Sequence, residues 1–420
     1  MKWPITSIGR LCVPTGQRDP TASPDSSFRY IDIASLDKDA KRITAALEMR
    51  GAEAPSRARK EVRAGDVLVS TVRPNLNAVA LVPDDLNGQI ASTGFCVLRA
   101  DQKVAETKFI FYRCLTPEFV GSLVSQMRGA NYPAVSDGVV KRVEIPLPLP
   151  REQRRIVELL DQADGLRRQR AEADQVADHI LPALFHKMFG DPIANPKGWP
   201  VVKFGDIAES RLGKMLDSKQ QTGEHRRPYM RNLNVQWARF DLSSVLEMDF
   251  APDEREEFLL RKGDLLICEG GTVGRAAIWD ERIHECYFQK ALHRVRPHVE
   301  KCTAEYLLYL FWTLAKRGCL VDVDSKATIA HLTGIQLAGL RIPLPPIGLQ
   351  KVFTRSVQTA STVATKTLSS RNNIESLFRT MLHRAFTGEL TAKWREAHLK
   401  ELLAEMEQQA RLLRAANESN

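Results

Sequence analysis

The stretch FGDPIANPKGWP, residues 189–200, lies close to the middle of a 420-residue chain and reads as an end followed by a beginning. Phe189 closes a run of helical periodicity, and Gly190-Asp191 stops it. Pro192, Pro196 and Pro200 then hold the backbone extended, and Trp199 opens a new apolar segment. The chain itself opens MKWP, so Trp3-Pro4 and Trp199-Pro200 look alike. The sequence begins twice.

Laying the second half on the first extends this likeness. Trp3-Pro4 falls on Trp199-Pro200 and Gly9 on Gly205, both at an offset of 196. VRAGDVLVS (62–70) falls on LRKGDLLIC (260–268), pairing Gly65-Asp66 with Gly263-Asp264 at an offset of 198. IPLPLPREQ (145–153) falls on IPLPPIGLQ (342–350) at 197, with Gln153 on Gln350, and Phe189 falls on Phe386. Four matches in the same order make the chain two copies of a unit of about 197 residues.

Each copy has two parts. The first, about 145 residues long, reads as α+β and β-rich. FRYIDIASL (28–36), DVLVSTV (66–72), NAVALV (77–82) and GFCVLRA (94–100) alternate or run apolar with β-branched residues, which predicts strands. ETKFIFYRCL (106–115) and AEYLLYLFWTL (304–314) predict helices. I-P-L-P places prolines at alternate positions, which excludes helix and predicts an extended connector.

The second part of each copy predicts one long helix. Apolar residues recur at Ile156, Leu160, Ala163, Leu166, Ala173, Ala177, Ile180 and Leu184, and again at Phe353, Val357, Ala360, Val363, Leu368, Ile374, Leu377 and Met381. Steps of three and four are the spacing of a coiled-coil seam, and Ile156, Leu160, Ile180, Leu184, Phe353, Val357, Ile374 and Met381 mark it as the candidate docking seam. Such a seam needs a partner helix in water, although packing of each helix on its own domain is the other reading. Arg170 and Arg371 interrupt the two seams, and Pro182 predicts a kink or break in the first helix.

Composition bounds the function. With 43% hydrophobic and 26% charged residues the chain can build real cores, and a length of 420 predicts two or more domains. No apolar run reaches the roughly 18 residues a membrane span needs, and MKWPITSIGRLCVP has no secretory pattern. Seven scattered cysteines without a C-x-x-C pair predict neither disulfides nor zinc, which fits a reducing cytoplasm. A net charge of +9 suits a polyanion partner without demanding one.

Catalytic patterns are missing. There is no phosphate-binding G-x-x-x-x-G-K-[ST] and no G-x-G-x-x-G opening a helix. EGGTVG (269–274) follows a strand-like run and precedes AAIW, so it predicts a tight turn between strands. The nine histidines form no H-E-x-x-H; His284, His293 and His298 read as surface or structural groups. Asp84-Asp85 and Asp253-Glu254 lack the companions of a metal-dependent nuclease, and no Asn-Pro-Pro-aromatic tetrapeptide is present. The pattern is that of a binder rather than an enzyme.

I-P-L-P-x-x-x-x-Q before a long helix, F-G-D-P-x-x-N-P-x-G-W-P at mid-chain and F-x-G-E-L near the end together resemble the specificity subunit of type I restriction–modification systems, over residues 1–395. The resemblance implies a pseudo-twofold tandem repeat: two β-rich α/β target-recognition domains separated by two long antiparallel coiled-coil helices. On this chain it implies recognition domains at 1–148 and 191–345, spacer helices within 149–190 and 346–390, and a helical tail at 391–420 with Leu399, Leu402, Met406, Ala410 and Leu413 on one stripe. Each domain would read one half of a bipartite double-stranded DNA target. A helix of about 38 residues, roughly 57 Å long, would set the unread gap. The helices would dock methyltransferase and restriction subunits, and S-adenosylmethionine, ATP and Mg would belong to those subunits, with no cofactor in this chain. Arg151-Glu152-Gln153 meets Gly348-Leu349-Gln350 in the second copy, a departure from the frame. A non-catalytic coiled-coil adaptor, or a scaffold that binds DNA without sequence preference, is the alternative.

Base readout favours Arg on guanine and Asn or Gln on adenine, presented on loops of a rigid scaffold. In the first copy STVRPNLN offers Arg73, Asn75 and Asn77, and QMRGANYPAVS offers Arg128, Asn131 and Tyr132. In the second, CEGGTVGR offers Glu269, Thr272 and Arg275, VDSKATIAH offers Lys326, Thr328 and His331, and Arg231, Asn232 and Asn234 follow Tyr229. The two sets differ chemically, which predicts two different half-sites and an asymmetric target.

Overall fold

Both Gly-Asp pairs deliver a strand, as their composition demands. In the computed structural model, which describes residues 3–129, 133–217, 221–320 and 331–406, Gly65 and Gly263 adopt left-handed φ of 84° and 92°. The aspartate after each folds back on its own turn: Asp66 accepts from Arg63 N and Asp264 from Arg261 N, both at 2.8 Å. The strands Val67–Ser70 and Leu265–Cys268 follow at once, buried throughout. Each aspartate also receives a forked ion pair from a neighbouring strand, Arg99 on Asp66 and Arg296 on Asp264, at 2.7 Å. Burial of both carboxylates makes these pairs costly to break from one side.

The repeat holds register by register. In the first copy Val67–Ser70 lies antiparallel between Phe95–Ala100 and Val79–Leu81. In the second, Leu265–Cys268 lies antiparallel between Leu292–Pro297 and Ala276–Ile278. A second layer repeats as well: Ser27–Ile31 pairs antiparallel with Leu47–Arg50, Ser27 opposite Arg50, and parallel with Ile90–Ser92. Arg226–Met230 pairs the same way with Leu246–Asp249, Arg226 opposite Asp249, and with Tyr287–Phe288. The I-P-L-P connectors are extended, and they do more than connect. Ile145 and Ile342 sit in short strands paired antiparallel with Ile5–Ser7 and Val201–Lys203, so each copy closes on its own beginning. The expected helices are Thr107–Cys114 and Ala304–Lys316, each laid on its sheet by an apolar face.

Two long helices run Pro150–Phe189 and Ile347–Thr387. The chain forms two compact units, residues 1–171 with 369–420, and residues 172–368, so each long helix passes from one unit into the other. Within the first unit the helices are antiparallel: Glu152 meets Thr391 while Arg167 meets Glu375. Ile156, Leu160 and Ala163 bury against a core that includes Phe378, Leu382 and Ala385. Within the second unit Phe185 and Phe189 pack on Phe353, with ring centroids 5.6 and 5.4 Å apart. Leu184 and Val357 support that cluster, as Met381 supports the first, and Ile374 is half-buried.

The seam is less continuous than its spacing predicts. Ile180 is 56% exposed, and Leu166, Val176, Val363 and Leu368 are about as open. The aromatic Phe378, one residue after the predicted Leu377, takes the buried position. The helix is also unbroken through Pro182. Pro182 costs a backbone bond there, but Phe185 and Phe189 beyond it are locked among Tyr306, Tyr309 and Phe353 and hold the last turns in place.

Candidate nucleic-acid interface

The clearest duplicated contact lies where each long helix begins. Gln153 is fully buried; its amide donates to the carbonyls of Val104 and Pro148 at 3.1 and 2.9 Å and its Oε1 accepts from Glu106 N at 2.9 Å. Gln350 repeats this, donating to Lys301 and Pro345 at 3.2 and 2.8 Å and accepting from Thr303 N at 3.0 Å. One side chain thus clamps each sheet domain to its helix, fixing the platform that presents the loops. At the other end Gly190 and Gly388, both at φ 81°, terminate the helices. Trp199 Nε1 donates to Phe189 O at 2.8 Å, so the mid-chain stretch is a stitched joint. Asp191 Oδ1 accepts from Ile193 N, and Arg317 pairs with its other oxygen at 2.6 Å; the backbone bond first, helped by the guanidinium, holds this carboxyl below its usual range.

On the first platform two predicted loops converge. Arg73 N donates to Pro133 O at 2.8 Å, and Ala134 forms isolated antiparallel bridges with both Val72 and Arg128. Arg73, Asn75 and Arg128 are exposed beside one another on this stitched pair of loops, and Asn77 is half-buried. Lys41 Nζ donates to Asn77 O at 2.5 Å, and burial pulls its ammonium down to about 8. Asn131 and Tyr132 lie outside the described residues.

On the second platform the partners are arranged differently. EGGTVG is the expected turn between antiparallel strands. Arg275 reaches Asn232, donating to its Oδ1 at 2.6 Å and its carbonyl at 2.8 Å, while Asn232 donates to Gly270 O. These two predicted residues form one cluster. Arg231 donates to Ser244 O, and Glu269 is half-buried and joined by backbone to Ala291 and Leu332. Asn234 is buried, with its Oδ1 taken by Arg231 N and its amide by Asp241 O, so it shapes the turn. Thr272 and His331 are exposed; Lys326 and Thr328 lie outside the described residues. Buried His293 holds Leu332 O at 2.7 Å beside His331, and burial lowers its pKa. Among the described residues no three His, Cys, Asp or Glu side chains gather into a metal-holding group. Burial pushes the thiols of Cys12, Cys96, Cys286 and Cys302 up to about 12, which leaves them poor nucleophiles at neutral pH.

The sequence reading missed Glu152, a buried carboxylate that receives Trp3 Nε1 at 3.0 Å, Thr391 Oγ1 at 2.6 Å and Arg395 Nε at 2.8 Å. Its only sequence signal was the mismatch with Leu349. It missed Lys41 as well, because nothing local sets that residue apart.

Two loop clusters of different chemistry, each carried on its own copy of one α+β platform, define a tandem-repeat recognition protein. The chain belongs to the family of the type I restriction modification DNA specificity domain, whose model matches residues 54–173 and 196–375. The HindI type I restriction enzyme specificity subunit of Haemophilus influenzae is 24% identical over 33% of this chain and 30% of its own length. The MjaVIII specificity subunit of Methanocaldococcus jannaschii is 21% identical over 72% of this chain and 75% of its own. A solved chain, from work on complex assembly and conformational transition of the type I R-M system, is 31% identical with a TM-score of 0.61, covering 93% of this chain and 98% of that one.

Proposed function

We propose that this chain is the DNA sequence-recognition subunit of a type I restriction–modification complex. The observation that carries the reading is the duplication itself: two sheet platforms match in register while their exposed loops differ, Arg73, Asn75 and Arg128 against Thr272 and His331. Matched platforms imply the same mode of approach to DNA, and unlike loops imply two unlike half-sites. The chain acts without catalysing. The methyltransferase and restriction subunits supply S-adenosylmethionine, ATP and Mg chemistry, and base flipping belongs to the methyltransferase.

The long helices set the spacing and dock those subunits. The exposed apolar residues at mid-helix support this role, with Val176 at 65%, Ile180 at 56% and Val363 at 57% exposure. Val176 and Ile180 lie four residues apart on one helix, so they share a face that a partner can cover. Among the described residues no helix is long and apolar enough to cross a membrane.

Exchanging residues 1–148 for the first recognition domain of another such subunit tests the reading. Mapped methylated adenines should then keep one half-site and change the other. Change in both halves would sink modular recognition, and methylation indifferent to sequence would favour a plain adaptor.

A further inference from the structure

Each copy places a left-handed residue immediately before a short strand, Arg42–Ile43 in the first and Arg239–Phe240 in the second. Neither residue is glycine: Lys41 has φ 55° and Ala238 has φ 58°. The strand registers agree, with Asp37 opposite Arg42 and Gln236 opposite Arg239, so the two positions correspond. Alanine satisfies this backbone in the second copy, so the turn itself does not require a lysine side chain.

Both turns hold the same place in the fold by different means. Ala238 N donates to Ala276 O at 3.0 Å, at the foot of the loop that follows Leu265–Cys268. Lys41 Nζ donates instead to Asn77 O at 2.5 Å, at the foot of the loop that follows Val67–Ser70. A backbone N–H neither carries a charge nor titrates, whereas an ammonium does both. Asp37 Oδ1 fixes the turn beneath Lys41 by accepting from Asp39 N and Ala40 N at 2.9 and 3.0 Å. Burial outweighs the charges around the ammonium, which are Asp37, Lys38 and Asp39 on its own turn and Arg167 on the long helix, and draws it down to about 8. The loop above presents Asn75, exposed and without a side-chain hydrogen bond among the described residues.

We propose that Lys41 is a positioning residue of the first copy: its ammonium fixes the foot of the 73–77 loop and so the angle at which Asn75 meets a base edge. The inference rests on the DNA-recognition reading above. Paired hydrogen bonds from one amide to adenine demand alignment, so a loop that shifts at its foot loses discrimination at its tip.

The test uses the full chain with its methyltransferase partners and duplexes carrying its mapped target, each with one base pair changed in one half. Discrimination is the ratio of methylation rates on the mapped and changed duplexes, so the methyltransferase's own pH dependence cancels. Lys41→Met keeps the aliphatic stem and removes the ammonium. It should lose about tenfold in discrimination at the half-site assigned to residues 1–148 by domain exchange, and nothing at the other. It should melt no lower than the parent, because a desolvated ammonium opposes folding. In the parent, discrimination at that half-site should fall as pH rises from about 7 to about 9 and Lys41 gives up its proton, and Lys41→Met should show no such fall. Parent-like discrimination in Lys41→Met, equal loss in both halves, a lower melting temperature or a pH profile shared by parent and variant would each overturn the proposal. Sequence-indifferent modification by the parent chain would instead remove the reading on which it rests.

Discussion

Gln153 and Gln350 show how much one residue can hold. Each joins three backbone groups that would otherwise be buried without partners, and the two sets of distances agree within a few tenths of an ångström. Replacing either with leucine keeps the volume but strands a buried N–H and two carbonyls. Each such group costs about 1–3 kcal/mol. Gln153→Leu and Gln350→Leu should therefore lower the denaturation midpoint by similar amounts, and a neutral result in either would show that the clamp is dispensable. The pairing of the two glutamines was legible in the sequence; their role was not. Their partners lie 47 to 49 residues away for the long-range bonds, beyond any local pattern. Asn234 differs: residue type suggested an adenine reader, but bonds to Arg231 N and Asp241 O, three and seven residues away, make it a turn former.

The elements were read best where packing is local. Strand–turn–strand units at 67–81 and 265–278 follow directly from Gly-Asp and β-branched runs. The long helices were legible as helices, but a period of 3.5 does not say which apolar residues find cover. The ends of the seam are buried by aromatic residues, and its middle stays open at Ile180 and Val363. Phe353 is fully buried among Phe185, Phe189 and Tyr309, so Phe353→Ala should cost about 3–5 kcal/mol. Ile180→Ala, at an exposed site, should change stability by no more than about 0.5 kcal/mol while weakening methyltransferase binding. Calorimetry and a pull-down on the same variants separate the two effects. Loss of stability in Ile180→Ala would return that residue to the chain's own core.

At the scale of the whole molecule, the repeat announces two readers but not how distant parts of the sequence are joined. The first unit takes residues from both ends of the sequence, and Glu152 is where they meet. Trp3, Thr391 and Arg395 all donate to it, and the Arg395 guanidinium also lies 5.1 Å over the Trp3 ring. In the second copy the chain runs continuously from Gly190 to Trp199, so the corresponding joint is covalent and Leu349 takes the place of the acid. This accounts for the mismatch that the alignment of the two copies left open. Beyond Arg395 the segment continues along the start of the first helix, burying Leu402 and pairing Glu401 with Arg151, while Leu399 and Met406 remain exposed. Ala410 and Leu413 lie outside the described residues. Residues 1–171 expressed alone should therefore lack cooperative melting and regain it when 369–406 is supplied as a second polypeptide. Glu152→Ala, which leaves Arg395 without its buried partner, should weaken that reassembly by about 3–5 kcal/mol. Autonomous folding of 1–171 would show that the first reader does not depend on the far end of the sequence.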